Sequence, residues 1–214
     1  MGNKSFLHQL IAEGEHQQQD FKYKITDAAK LAKSVSAFAN TGGGRLLIGV
    51  RDDGHVSGVR SEEEIYMMRS AAGDFCRPAP EIDFETFLVE GRTVVIATVP
   101  ESDKKPIRAL CEEGKWRAYI RVADENIVAS PVHLRIWRDN LSAQGQLISI
   151  GDEETRVIQT LENGSPLTVG QVARRSGVNR HGVIVILAKL VRFGLADCRL
   201  DGHWLFTSPA PSCH

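Results

Sequence analysis

Near the start of the chain Phe6, Leu7, Leu10 and Ile11 follow Ser5 at helical spacing and predict a short amphipathic helix ending near Glu13 and Gly14. After the polar run His16 to Gln19, Asp20 to Lys24 reads as a short strand. Thr26 is placed to cap a helix whose apolar stripe of Ala28, Leu31, Ala32, Val35 and Phe38 stops at Asn40. Thr41-Gly42-Gly43-Gly44 breaks that helix, and Leu46 to Val50 is almost continuously apolar, the pattern of a central strand buried on both faces. Asp52 to His55 forms a turn into Val56 to Val59. Ser61 and Glu64 then have the spacing of a capping box for a helix that buries Ile65, Met68 and Ala72.

Beyond Pro78 to Pro80 the apolar period changes from helical to alternating. Phe84 to Val89 and Thr93 to Val99 flank the turn residues Glu90-Gly91, and Ile107 to Cys111 and Trp116 to Val122 flank a second turn at Glu112 to Lys115. In the last of these strands Trp116, Ala118, Ile120 and Val122 face one way, and Arg117, Tyr119 and Arg121 face the other. Pro131 to Asn140 reads as a closing helix. From Asp152 the pattern is a helix to Leu161, a short helix from Val169 to Ser176, the turn Gly177-Val178, a longer helix from Asn179 to Phe193, and two short strands joined at Asp201-Gly202. Three helices with a tight glycine turn before the third, followed by a hairpin, is the order of a winged helix-turn-helix. The expectation is therefore an α+β chain. A first domain over residues 1–140 carries a mixed or antiparallel sheet with helices, residues 141–151 are a linker, and residues 152–208 form a winged helix-turn-helix.

Composition narrows the function classes. Of 214 residues 42% are hydrophobic, enough for real cores, so disorder is not the default. Twenty-six Lys and Arg against 27 Asp and Glu leave a net charge of -1, so a nucleic-acid site has to be a local patch rather than a global basic field. Cys76, Cys111, Cys198 and Cys213 stand far apart without a Cys-x-x-Cys pair, which argues for reduced thiols over zinc or disulfides. His8, His55, His133 and His203 lack metal-ligand spacing and read as surface or turn residues. Without a signal-like start or a run of roughly 20 apolar residues, a cytoplasmic protein with no membrane partner is expected.

The most informative stretch runs Ser36-Ala37-Phe38-Ala39-Asn40-Thr41-Gly42-Gly43-Gly44-Arg45-Leu46-Leu47-Ile48-Gly49-Val50-Arg51-Asp52-Asp53-Gly54, with Val56 and Gly58 after it. Upstream stand Glu15 and, five positions on, Asp20-Phe21-Lys22; downstream stands Tyr119-Ile120-Arg121-Val122. Over roughly residues 5 to 140 this resembles the bacterial Schlafen-like, Schlafen/AlbA-type family of DNA-binding domains. The resemblance implies nucleic-acid binding. It also implies, from eukaryotic Schlafen relatives that cleave structured RNA, a metal-holding acidic trio at Glu15, Asp20 and Asp52. Such a trio suits Mg²⁺ or Mn²⁺ and can activate water against a phosphodiester. Asp20 stands where the family usually has Glu, and Asp53 could exchange roles with Asp52. The glycine run itself is no phosphate loop, because a helix precedes it and a strand follows, and no Gly-x-x-x-x-Gly-Lys-Ser/Thr occurs. A helix end and tight turn explain it better.

Arg117, Tyr119 and Arg121 form a candidate stripe for phosphate contact and base stacking, extended by Lys22, Lys24 and Arg45. In the second domain Arg174, Arg175, Asn179, Arg180 and His181 cluster around the helical turn, where such domains touch phosphates and base edges. Ile184, Val185 and Ile186 are consecutive, and a small core cannot bury all three, so Ile184 is expected to be covered by a homodimer or an interdomain contact. The sequence thus points first to a nucleic-acid-binding transcriptional regulator, with DNA preferred over RNA and no required cofactor. A Mg²⁺- or Mn²⁺-dependent endoribonuclease is second, and an oligomerisation adaptor third.

Overall fold

The computed structural model describes residues 2–140, 150–163 and 165–209. They divide into two compact units, the first running to Ala129 and the second starting at Ser130. The fold class is α+β, as expected.

In the first unit the elements are α1 (Gly2–Glu13), β1 (Gln19–Lys22), α2 (Ala28–Asn40), β2 (Gly44–Ile48), α3 (Ser61–Gly73), β3 (Cys76–Arg77), β4 (Asp83–Val89), β5 (Arg92–Val99), β6 (Arg108–Leu110), β7 (Trp116–Val122) and β8 (Glu125–Val128). One sheet has the order β1-β2-β5-β4, with β1 and β2 parallel and the other pairs antiparallel. The other sheet, β3-β6-β7-β8, is antiparallel throughout. Strand β2 is internal, and its side chains alternate between two cores. Leu46 and Ile48 join α2 and the second sheet, whereas Leu47 joins Leu7 and Leu10 of α1. The turn between β4 and β5 has positive φ at both Glu90 and Gly91, 51° and 75°, as a tight two-residue hairpin requires.

Helix α2 carries more than the single stripe the sequence suggested. Ten of its thirteen residues are buried, because it packs against strands of both sheets and against α3. Its Ala and Ser residues make that close approach possible. Asn40 ends it for a tertiary reason: its amide donates to the carbonyls of Ile107 (2.8 Å) and Tyr119 (3.0 Å), and its oxygen accepts from Ile107 N–H (2.9 Å). The glycine run then turns the chain, with positive φ at Gly42 and Gly43. Gly44 is fixed by contact instead, since a Cβ there would lie 2.1 Å from the Phe38 ring.

Two caps differ from expectation. Asp27, not Thr26, caps α2, its carboxylate accepting from Ala29 and Lys30 N–H. Glu64 does not close a capping box on α3. Only 5% exposed, it accepts from Ile25 N–H (2.8 Å), and burial raises its pKa.

The second unit comprises α4 (Pro131–Asn140), α5 (Asp152–Glu162), α6 (Val169–Ser176), α7 (Arg180–Arg192), β9 (Asp197–Asp201) and β10 (His203–Thr207), the last two an antiparallel hairpin. Val132 of α4 belongs to this unit's core with Val157, Leu161, Val172, Val183, Leu187 and Phe206, so the helix placed in residues 1–140 by sequence groups with the second unit. Most of the expected linker, residues 141–149, lies outside the described residues. His133 is not a surface residue. It packs edge-on against Trp204 with ring centroids 4.4 Å apart, and burial drives its pKa down to about 4.

Candidate nucleic-acid interface

The acidic trio is only two-thirds assembled. Glu15 accepts from Phe21 N–H (2.8 Å), and its pKa is raised, first by burial and then by its hydrogen bond to Asp20. Asp20, 5% exposed, is held by the Lys22 ammonium at 2.7 Å and the Arg121 guanidinium at 3.3 Å. The lysine contact is ionic rather than a well-directed hydrogen bond, since Asp20 Oδ2 has no hydrogen-bond partner among the described residues. Asp52 does not join them: it is exposed in the turn that Gly54 closes through the Arg51 carbonyl. Asp53 cannot take its place, because it is equally exposed and accepts from His55 N–H as a turn former. Among the described residues no three His, Cys, Asp or Glu side chains are arranged to hold a metal ion. The Mg²⁺ or Mn²⁺ site implied by resemblance is not assembled among the described residues, where two cations neutralise Asp20 and Asp52 is exposed in its own turn.

The strand stripe is likewise corrected. Tyr119 is 6% exposed and Arg121 2%, because their face of β7 looks onto α2 rather than into solvent. Tyr119 places its hydroxyl 3.1 Å from Cys111 Sγ. Besides Asp20, Arg121 donates to Asn126 Oδ1 (3.0 Å) and lies 5.2 Å over the Phe38 ring. Ala118 and Ile120 on the opposite face are buried too, so alternation along this strand could not tell a wet face from a dry one. The remaining basic residues of the stripe are mostly engaged: Arg117 pairs with Glu113 (2.7 Å), and Arg45 pairs with Glu13 (2.7 Å) and donates to Gln19 (2.7 Å). Lys24 is exposed.

In the second unit the predicted residues do come together. Arg174 and Arg175 fill the last turn of α6, which ends on Gly177 in the left-handed conformation, φ 70°. Three residues later α7 begins at Arg180 and His181, capped by Asn179, whose side chain accepts from Gly182 N–H (2.9 Å). Arg174, Arg175, Arg180 and His181 are all exposed, and none has an ion pair among the described residues. Arg180 reaches back to α6, where a Cβ on Gly170 would lie 3.6 Å from its Nη1. Asn179 is thus spent on capping, while the three arginines and His181 are available. Farther along α7, Ile184 is half-buried against its own core, alongside buried Val183, Ile186 and Leu187. The helix buries a wider arc than one stripe because α4, α5 and α6 all pack against it. Lys189 is paired with Glu154 (3.0 Å).

Among the described residues no helix is long and apolar enough to cross a membrane. No curated protein matches the chain. Among solved structures, the DIP2311 protein from Corynebacterium diphtheriae is similar at 20% identity and a TM-score of 0.48, over 76% of this chain and 35% of that one. The N-terminal domain of a RecG-related protein from Nitrosomonas europaea is similar at 22% identity and a TM-score of 0.42, over 68% of this chain and 93% of that one. This chain thus spans about a third of the length of the Corynebacterium protein. The family described as Schlafen, AlbA_2 matches residues 15–130, which hold the Glu15 to Lys22 segment, the Asn40 anchor, the glycine turn and buried Arg121. By that match over more than half its length, the chain belongs to the Schlafen, AlbA_2 family.

Proposed function

We propose that this protein binds duplex DNA as a transcriptional regulator, and that its second unit is a winged helix-turn-helix making the principal contacts. One observation carries the reading: three exposed arginines, Arg174, Arg175 and Arg180, with no ion pair among the described residues, surround the α6–α7 turn beside exposed His181. Arg174 and Arg175 sit favourably at a helix C-terminus, but Arg180 stands at the positive end of α7, where a cation is costly unless an anion arrives. A backbone phosphate supplies that anion and also meets the first-turn N–H groups of α7. Ile184 and Val185, half-buried in the middle of α7, offer little to base edges, so affinity comes from the DNA backbone more than from base readout. Family membership is consistent with a nucleic-acid role. The nuclease alternative is less supported, because no metal-holding acidic trio is assembled among the described residues.

The full chain titrated with labelled duplex DNA, single-stranded DNA and structured RNA tests this reading. Duplex DNA should bind best. With three arginine–phosphate contacts, affinity should fall roughly fortyfold between about 50 and 200 mM salt. Salt-independent binding, or none at the lower concentration, would overturn it.

A further inference from the structure

Strand β1, helix α2 and strand β2 form a parallel strand-helix-strand crossover. In such units ligands gather beyond the carboxyl end of the first strand, where the chain enters the helix. The glycine run lies at the opposite end of this crossover. At the ligand-competent end, between β1 and α2, a cavity of about 240 Å³ is lined by Lys22, Lys24, Thr26, Asp27, Lys30 and Ser34. Three ammonium groups against one carboxylate leave it cationic, and the Asp27 carboxylate is already turned to the amides of Ala29 and Lys30. Lys22 is held by Asp20, but Lys24 and Lys30 are exposed and form no ion pair among the described residues, although Glu64 lies within electrostatic range of Lys24.

A second, independent feature points to a ligand. Ser34 lines the cavity yet is only 4% exposed. Its oxygen accepts from Asn126 Nδ2 (2.9 Å), while its own hydroxyl proton finds no acceptor among the described residues. A buried hydroxyl keeps an unused donor at a loss unless something in the cavity accepts it. Asn126 in turn bonds Arg121, so the cavity floor is continuous with the buried Asp20–Arg121 pair and is held rigidly.

We propose that this cavity binds a terminal phosphate monoester, with Lys24 and Lys30 neutralising its charge and Ser34 donating to one of its oxygens. The same chemistry is offered by a mononucleotide and by the 5′-phosphorylated end of a nucleic-acid strand. The site lies in the first unit and does not depend on DNA binding by the second.

Calorimetric titration of the full chain tests it. The probes are a nucleoside 5′-monophosphate, the bare nucleoside, and a five-nucleotide single strand with and without a 5′-phosphate. A phosphorylated probe should bind at least about tenfold tighter than its unphosphorylated counterpart, because charge-assisted bonds to lysine are the strong ones. Lys24→Gln/Lys30→Gln should erase that preference without changing the thermal unfolding profile. Arg174→Ala/Arg175→Ala/Arg180→Ala should leave it intact, which separates this site from the DNA face. Preference confined to the oligonucleotide assigns the site to a strand end, and preference shared by the mononucleotide assigns it to a small ligand. Equal or absent binding of phosphorylated and unphosphorylated probes, or a preference that survives in the lysine variant, would overturn the proposal.

Discussion

Arg121→Ala should destabilise the first unit by about 3 kcal/mol, the low end of what breaking a buried ion pair costs, because Lys22 still reaches Asp20. Three losses combine. The guanidinium leaves Asp20, which is 5% exposed, with one partner instead of two; Asn126 loses a donor; and the Phe38 ring loses a cation and the packing of a long side chain. The double variant Asp20→Leu/Arg121→Met should recover much of this, since apolar residues of similar volume replace a buried pair at little cost. Urea denaturation of the three proteins measures both effects. A loss below about 1 kcal/mol for Arg121→Ala would mean that this arginine is an ordinary surface cation, contrary to the structure.

The second large effect belongs to the other unit. Arg174→Ala/Arg175→Ala/Arg180→Ala should weaken duplex DNA binding by roughly 50-fold at moderate salt and lower the slope of log affinity against log salt by about 2.7, one increment per phosphate contact. Stability should change little, because all three side chains are exposed and make no ion pair among the described residues. Lys22→Ala/Arg45→Ala/Arg117→Ala removes as many charges, yet those side chains are paired with Asp20, Glu13 and Glu113, and DNA affinity should fall less than about threefold. Fluorescence anisotropy on both triple variants distinguishes them, and equal losses would contradict the assignment.

Much of this fold was legible as pattern. The buried run at Leu46, the Glu90-Gly91 hairpin, the Gly177 turn and the spacing of the last three helices all follow from local rules and stand in the structure. What stayed hidden was tertiary. Alternation showed that Arg121 and Tyr119 share a face of β7, but only the packing of α2 shows that this face is dry. Glu15 and Asp20 meet because the chain turns between them, whereas no rule of spacing reports that Arg121, a hundred residues on, neutralises Asp20. Glu64 has the position of a capping residue and is drawn instead to Ile25, on a different segment. Ile184, within a run of consecutive β-branched residues, is half-buried against a core to which α4 contributes Val132, a neighbour that helical spacing along α7 does not reveal. The cationic turn of the second unit was readable because it depends on helix ends, which sequence marks well.

The claim that DNA meets the α6–α7 turn is tested most directly by amide hydrogen exchange of the full chain with and without saturating duplex DNA at low salt. Slower exchange on binding is predicted over residues 170–184, with β1 and β7 unchanged. Protection concentrated in residues 19–24 and 116–122, with none at the turn, would contradict it.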